Sequence, residues 1–79
     1  MKAFFAVIVS VASLDTYNVT VSRIDQDLYR DHRSNSVIET QYCHEYATRV
    51  DAIVRWNGAY SSTNALIFDY NQCRVVAIH

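Results

Sequence analysis

Apolar and polar residues alternate along two stretches of the chain, at residues 17–24 and 36–47. In the first, Tyr17, Val19 and Val21 fall on one side and polar residues on the other, which is typical of a strand with one buried face. Both stretches therefore predict half-buried β-strands. The second alternation is expected to place five side chains on one face: Ile38, Thr40, Tyr42, His44 and Tyr46.

Shorter apolar runs predict further strands at residues 51–56, 65–70 and 73–78. Asn57-Gly58 is the strongest local turn signal in the chain. Asn71-Gln72 separates the last two runs, which predicts a tight hairpin between them.

The polar residues 25–36, between the first two strands, predict a loop or a single helical turn. Sustained helical periodicity with capping residues is missing from the sequence, although residues 25–32 or 44–50 could form one short helix. The predicted fold is mainly β: a small antiparallel sheet or barrel of five to six strands with at most one short helix.

The first residues are apolar and have two interpretations. Lys2 precedes an apolar run that ends at Ser10-Val11-Ala12, which is the layout of a secretory signal. The run is well below the roughly 20 residues of a membrane-spanning helix. The alternative is an N-terminal strand, which if retained would favour pairing with a second copy and a homo-oligomer. We therefore predict an apolar leader at residues 1–12 and one small β domain at residues 13–79.

Composition and charge exclude several classes of function. The 79 residues suffice for one domain. Seven basic and eight acidic residues give a net charge of -1 without a long basic run, so the electrostatic signature of a nucleic-acid-binding protein is missing. The sequence has no C-x-x-C, H-x-x-x-H or paired-acid spacing. We therefore expect no catalytic residues, no metal and no cofactor.

The two cysteines, Cys43 and Cys73, predict a disulfide. Cys43 falls on the more polar side of its predicted strand, whereas a free cysteine usually prefers apolar burial. A cross-strand bridge to Cys73 accounts for that position, and closing a loop of about 30 residues stabilises a fold by about 3–4 kcal/mol in the chain-entropy model. The bridge needs an oxidising compartment, in agreement with a signal-like leader.

His44, next to Cys43, raises the alternatives of a metal site and a reactive thiol. Neighbouring side chains on a strand point to opposite faces, so these two do not readily chelate one ion. Glu39 and Glu45 lie near the thiol and disfavour a thiolate. Both alternatives are therefore weaker than the disulfide.

Six tyrosines and one tryptophan suggest a contact surface as well as a core, because tyrosine suits both half-buried sheets and interfaces. We expect Trp56 and Tyr42 in the core. Partner contacts are predicted for Tyr60 in the turn region, for Arg55 on the face opposite Trp56, and for Tyr29 in the polar loop.

Several short motifs occur in a characteristic order: "VTVSRIDQDLYR", "YCHEYA", "DAIVRW", "NALIF" and "CRVVAI". This order resembles a group of small secreted bacterial proteins of unknown function that carry a signal peptide, a Tyr-Cys-x-Glu-Tyr stretch and a late cysteine. The resemblance covers about residues 18–76. It implies a disulfide between Cys43 and Cys73 and an extracytoplasmic location, and it implies no activity.

The function predicted from the sequence is that of a non-catalytic extracytoplasmic domain, secreted or periplasmic, that binds a protein or surface partner. It has no stable membrane span and is not expected to bind nucleic acid. The alternative is a cytosolic phage-type inhibitor or binding protein that dimerises through its N-terminal strand. An enzyme is the third hypothesis, and it would need a cleft with converging polar groups.

Overall fold

Six antiparallel strands close into one barrel in the computed structural model, which describes residues 16–59 and 61–79. The order around the barrel is β1-β2-β3-β6-β5-β4, with β4 pairing back onto β1. The mainly β fold of five to six strands is confirmed, and the described residues contain no helix. The predicted leader at residues 1–12 and Tyr60 lie outside the described residues. The strands are β1 (Thr16–Asp25), β2 (Leu28–Asp31), β3 (Val37–Gln41), β4 (Val50–Arg55), β5 (Ala65–Ile67) and β6 (Gln72–Ile78).

The longest strand, β1, follows its sequence alternation at Val19 and Val21, whereas Tyr17 of the same predicted face is 55% exposed. Val19 and Val21 are buried, and Val19 pairs with Ala52 of β4, which is buried as well. β-branched residues fit such a pleated, half-buried surface because their side chains pack against cross-strand neighbours. The strand predicted at residues 51–56 is confirmed as β4, in which Ala52 and Val54 point inward and are buried.

One hydrophobic cluster fills the barrel and includes both cysteines. Trp56 is half-buried and packs against this cluster, in agreement with its predicted place in the core. The Tyr29 and Phe68 rings meet at a tilt, with centroids 5.8 Å apart, a geometry that aromatic pairs favour. The cluster consists of Val19, Val21, Tyr29, Ile38, Cys43, Ala47, Ala52, Val54, Leu66, Phe68, Cys73 and Val75.

The polar stretch predicted as a loop or helical turn instead contains β2. Gln26 and Asp27 form the turn of a hairpin between β1 and β2, and Asp27 has a φ of 58°. Aspartate tolerates this left-handed conformation better than most residues. Within β2, Tyr29 and Asp31 point inward and are buried. The loop prediction failed because β2 is only four residues long, and an alternation with two inward positions, one of them a charged Asp31, is too short to indicate a strand.

The prediction of one continuous strand over residues 36–47 is also wrong, because β3 ends at Gln41. Tyr42 follows with a φ of 56°, in the left-handed region that a bulky side chain rarely adopts. Ile38 and Thr40 point inward before it, whereas Cys43 and Ala47 point inward after it. One residue therefore inverts the phase of the alternation, and Tyr42 leaves the predicted core: it is 81% exposed.

The strand directions define two ends of the barrel. At the cavity end lie the starts of β1, β3 and β5, the ends of β2, β4 and β6, and the loops at residues 32–36 and 56–64. At the disulfide end lie the hairpin turns at residues 26–27 and 68–71 and the irregular segment 42–49. The predicted hairpin between the last two strands is confirmed, with Phe68 N–H donating to the Asn71 carbonyl at 2.7 Å.

Candidate binding surfaces at the two ends of the barrel

The predicted disulfide between Cys43 and Cys73 is present, with a Cα–Cα distance of 5.4 Å. It joins the irregular segment 42–49 to the first residues of β6, 30 positions further along the chain. Both cysteines are buried in the core cluster. The polar setting predicted for Cys43 is therefore wrong: the inversion at Tyr42 turns this side chain inward.

Alternate residues of segment 42–49 are anchored to the barrel, and the residues between them are exposed. The exposed set is Tyr42, His44, Tyr46 and Thr48. The segment is thus a fixed ridge along the barrel end. The anchoring hydrogen bonds run from Cys43 N–H to Asp27 Oδ1 (2.7 Å), from the Tyr29 hydroxyl to the Glu45 carbonyl, from Arg23 N–H to the Ala47 carbonyl (2.9 Å) and from Arg49 N–H to Ser22 Oγ (2.9 Å).

Asp27 anchors the segment where the phase inverts. Its carbonyl accepts a hydrogen bond from Thr40 N–H at 2.8 Å, and its carboxylate accepts the one from Cys43 N–H. These bonds hold the residues on both sides of Tyr42. The left-handed conformation of Tyr42 is thus imposed by tertiary contacts, which is the usual condition for strained backbone to persist.

The prediction that Tyr29 contacts a partner is wrong. The Tyr29 side chain is 0% exposed, so it does not belong to a contact surface. Burial raises the pKa of its phenol, an effect that the nearby Arg23 guanidinium opposes in part. The hydroxyl instead holds the Glu45 carbonyl. Tyr29 is therefore a positioning residue beneath the ridge.

Three tyrosines form what we call the tyrosine face: Tyr42, Tyr46 and Tyr70. They are 81%, 86% and 100% exposed. The Asn71 amide donates to Glu45 Oε2 at 3.2 Å and so connects the hairpin turn that carries Tyr70 to the residue before Tyr46. Two chain segments, held together by a disulfide and this hydrogen bond, thus present the three rings at one end of the molecule.

Arg23 supports one edge of the tyrosine face. Its guanidinium lies over the Tyr46 ring, 5.6 Å from the centroid, within the range of a cation–π contact. Its Nε is buried without a hydrogen-bond partner among the described residues. The Tyr46 ring is therefore held in place although it is exposed.

Arg55, the second predicted contact residue, lies at the cavity end and is half-buried. Its Nε donates to the Thr63 carbonyl at 2.8 Å, and this bond ties β4 to the loop at residues 56–64. The same loop is held by Asn64, which is buried and accepts from Asn57 N–H while donating to the Gly58 carbonyl. Arg55 thus stabilises a loop, and its role in partner contact stays a prediction.

A cavity of about 550 Å³ opens at the cavity end, and we call it the mouth cavity. Sequence reasoning did not find it, because its lining comes from several strands and one loop. Two aromatic residues of the lining were visible in the sequence: Tyr17 at the start of one predicted strand and Trp56 at the end of another.

Within residues 16–59 and 61–79, no group of three or more histidine, cysteine or acidic side chains is placed to hold a metal ion. Nor does this part of the chain contain a helix that could cross a bilayer.

The fold and the bridge define the class of this molecule: a small, closed, six-stranded antiparallel β-barrel with one internal disulfide. Comparison with known proteins gives no match to a family model, to a curated protein or to a solved structure.

Proposed function

We propose that this protein is a non-catalytic binding domain that contacts a protein partner through the tyrosine face. The observation that carries the proposal is the exposure of Tyr42, Tyr46 and Tyr70, all above 80%, on segments that the disulfide and its neighbouring hydrogen bonds hold in place. Tyrosine supplies a large contact area with few rotatable bonds and is enriched at protein interfaces. A surface that is ordered before binding also loses less conformational entropy on association.

The strained backbone at Tyr42 supports the same proposal. A glycine would adopt this conformation at no steric cost, yet the chain carries a bulky aromatic there. Strain of this kind concentrates at binding and catalytic sites. The ring at position 42 is thus better explained by an external contact than by the stability of the fold.

Site-specific photo-crosslinking in cells that naturally make the protein tests this proposal. A benzophenone side chain replaces Tyr42 or Tyr70 in turn. The matched controls are Ile53, an exposed apolar residue on the barrel wall, and Ser62 in a cavity-end loop. We expect a discrete crosslinked protein from positions 42 and 70 alone. Equal crosslinking from the control positions, or none from any position, would refute the tyrosine face as the binding surface.

We further propose that the protein acts in an oxidising compartment, secreted or periplasmic. A buried disulfide that forms part of the core supports this, because structural disulfides persist where thiols are not kept reduced. The measurement is the intact mass of the native protein after alkylation of free thiols. We expect an unalkylated chain without its leader. A full-length chain with two alkylated cysteines would favour the cytosolic alternative.

A further inference from the structure

The mouth cavity is amphipathic, and its polar and apolar lining residues come from different parts of the barrel. The polar groups are Asp31 at the end of β2, Asn18 of β1, and three residues of the turn between β2 and β3, namely Arg33, Ser34 and Ser36. The apolar groups come from β1, β3, β4 and β6 and from Trp56, just after β4. The apolar side consists of Tyr17, Val19, Ile38, Val54, Trp56 and Ile78.

The size and depth of the mouth cavity suit a small molecule. About 550 Å³ lies within the usual range of ligand pockets, which are often found at the mouths of β-barrels. Val19, Ile38 and Val54 are core residues, so the apolar side continues the barrel interior. Aromatic rings at the entrance, from Tyr17 and Trp56, add apolar surface.

The carboxylate of Asp31 accepts four hydrogen bonds from the protein. Its Oδ1 accepts hydrogen bonds from Thr20 N–H (3.0 Å) and Arg33 N–H (3.1 Å). Its Oδ2 accepts from Ser34 N–H (3.1 Å) and from the Ser34 hydroxyl (2.7 Å). Asp31 therefore stabilises the β2–β3 turn and leaves no lone pair aimed at a ligand.

The guanidinium of Arg33, in contrast, makes one hydrogen bond and no ion pair among the described residues. Its Nε donates to Thr20 Oγ1 at 3.3 Å, and among the described residues no carboxylate lies within ion-pair distance of the guanidinium. An arginine at the polar edge of an apolar cavity favours an anion, because the planar guanidinium forms charge-assisted hydrogen bonds with a carboxylate.

We propose that the mouth cavity binds a small amphiphile with a carboxylate head group, of the class of medium-chain fatty acids. The chain packs against Val19, Ile38 and Val54, and the carboxylate lies beside the guanidinium of Arg33. This site is separate from the tyrosine face, which occupies the other end of the barrel. Partner binding at the tyrosine face and amphiphile binding in the mouth cavity can therefore be tested independently.

Titration with three ten-carbon probes tests the site, because they share a chain and differ in head group: decanoate, decan-1-ol and decylammonium. Trp56 is the single tryptophan and lines the cavity, so its fluorescence reports binding. Calorimetry of the full chain, below the concentration at which the probes aggregate, gives the affinities. We expect saturable binding of decanoate, about tenfold tighter than of decan-1-ol, and weaker binding still of decylammonium.

Two variants assign the binding to this cavity. R33Q should weaken decanoate binding about tenfold and leave decan-1-ol unchanged. R30Q is the matched control, since it removes the same charge from an exposed residue of β2 that does not line the cavity. S36F fills the cavity without removing a core residue and should abolish binding of all three probes.

The proposal is overturned by any of three results. One is that decanoate fails to bind. Another is that decan-1-ol or decylammonium binds as tightly as decanoate. The last is that R30Q and R33Q weaken decanoate binding equally, which would show a general charge effect. Thermal unfolding of each variant confirms that it is folded, and the comparison of R33Q with R30Q remains decisive if S36F does not fold.

Discussion

At the scale of single residues, Asp31 shows how a buried charge is stabilised by local structure. Burial by itself raises the pKa of this carboxyl, but the hydrogen bonds from Ser34, Thr20 and Arg33 outweigh it and hold the pKa below its usual value. A group with a lowered pKa in the folded state stabilises that state at pH values above its unfolded pKa. This contribution is lost as the pH falls through the folded value.

We therefore predict that D31N lowers the free energy of unfolding at neutral pH by about 1.5–3 kcal/mol, because backbone donors lose a charged acceptor. Below about pH 4, where the wild-type protein loses the contribution of Asp31, the variant should lose less stability than the wild type. Urea denaturation at pH 7 and pH 3 measures both effects. D69N, at an exposed position, is the control and should change neither quantity by more than about 0.5 kcal/mol.

Tyr42 and Tyr46 differ in backbone conformation although both are highly exposed. Y42G should leave the free energy of unfolding unchanged or raise it by up to about 1 kcal/mol, since glycine relieves the left-handed strain. Y46G should lower it by about 1–2 kcal/mol, because that position has no positive φ, glycine adds unfolded-state entropy, and the cation–π contact with Arg23 is lost. Chemical denaturation compares the two. A larger loss for Y42G than for Y46G would contradict this account of the strain.

At the scale of elements, the irregular segment 42–49 depends on contacts from outside itself. Among the described residues it has no strand partner, and its order comes from the disulfide and from hydrogen bonds to β1, to β2 and to the turn between them. Segments with few ladder hydrogen bonds open at lower free energy than paired strands. The tyrosine face is therefore the part of the barrel most sensitive to loss of the bridge.

Replacing both cysteines by alanine should lower the free energy of unfolding by about 3–4 kcal/mol, since the bridge closes a 30-residue separation. Amide hydrogen exchange should quicken first in segment 42–49, while β1 and β4 keep their protection longer, because they pair with each other over six residue positions. Reduction of the wild-type protein should reproduce both effects. An unchanged melting temperature after reduction would show that the bridge does not stabilise the fold.

At the scale of the whole molecule, the closed barrel separates two surfaces of different character. The disulfide end presents exposed rings, whereas the cavity end presents a recess with an apolar side and a cation at its edge. Closure through the β1–β4 and β3–β6 pairs leaves no unpaired sheet edge among the six described strands, so these strands offer no edge for adding another chain. Homo-oligomer formation through residues 1–12 stays a prediction.

Because the two surfaces share no residues, changes at one end should not affect binding at the other. We predict that a variant with alanine at positions 42, 46 and 70 loses the partner but binds decanoate with unchanged affinity, within about twofold. R33Q should in turn leave the crosslinking pattern from position 70 unchanged. Loss of both activities in either variant would show that the two ends are coupled through the core.

The sequence by itself determined the features that depend on local pattern. The period-two alternation of β1 predicted the burial of Val19 and Val21, and the turn residues predicted the last hairpin. The predicted bridge between Cys43 and Cys73 is present, although the polar position of Cys43 that supported the prediction is wrong. Local pattern suffices for these because a strand's inward positions are set by the backbone geometry of successive residues.

Only the tertiary structure decided the features that depend on distant contacts. The inversion at Tyr42 requires Asp27, 15 residues earlier, to hold the next backbone amide, and no local pattern signals such a contact. The same inversion moved Cys43 into the core and Tyr42, which was predicted in the core, to the surface. The mouth cavity likewise exists only once five strands and the β2–β3 turn converge. Barrel closure brings together residues that are far apart in sequence, and that closure decides which side chains remain exposed for binding.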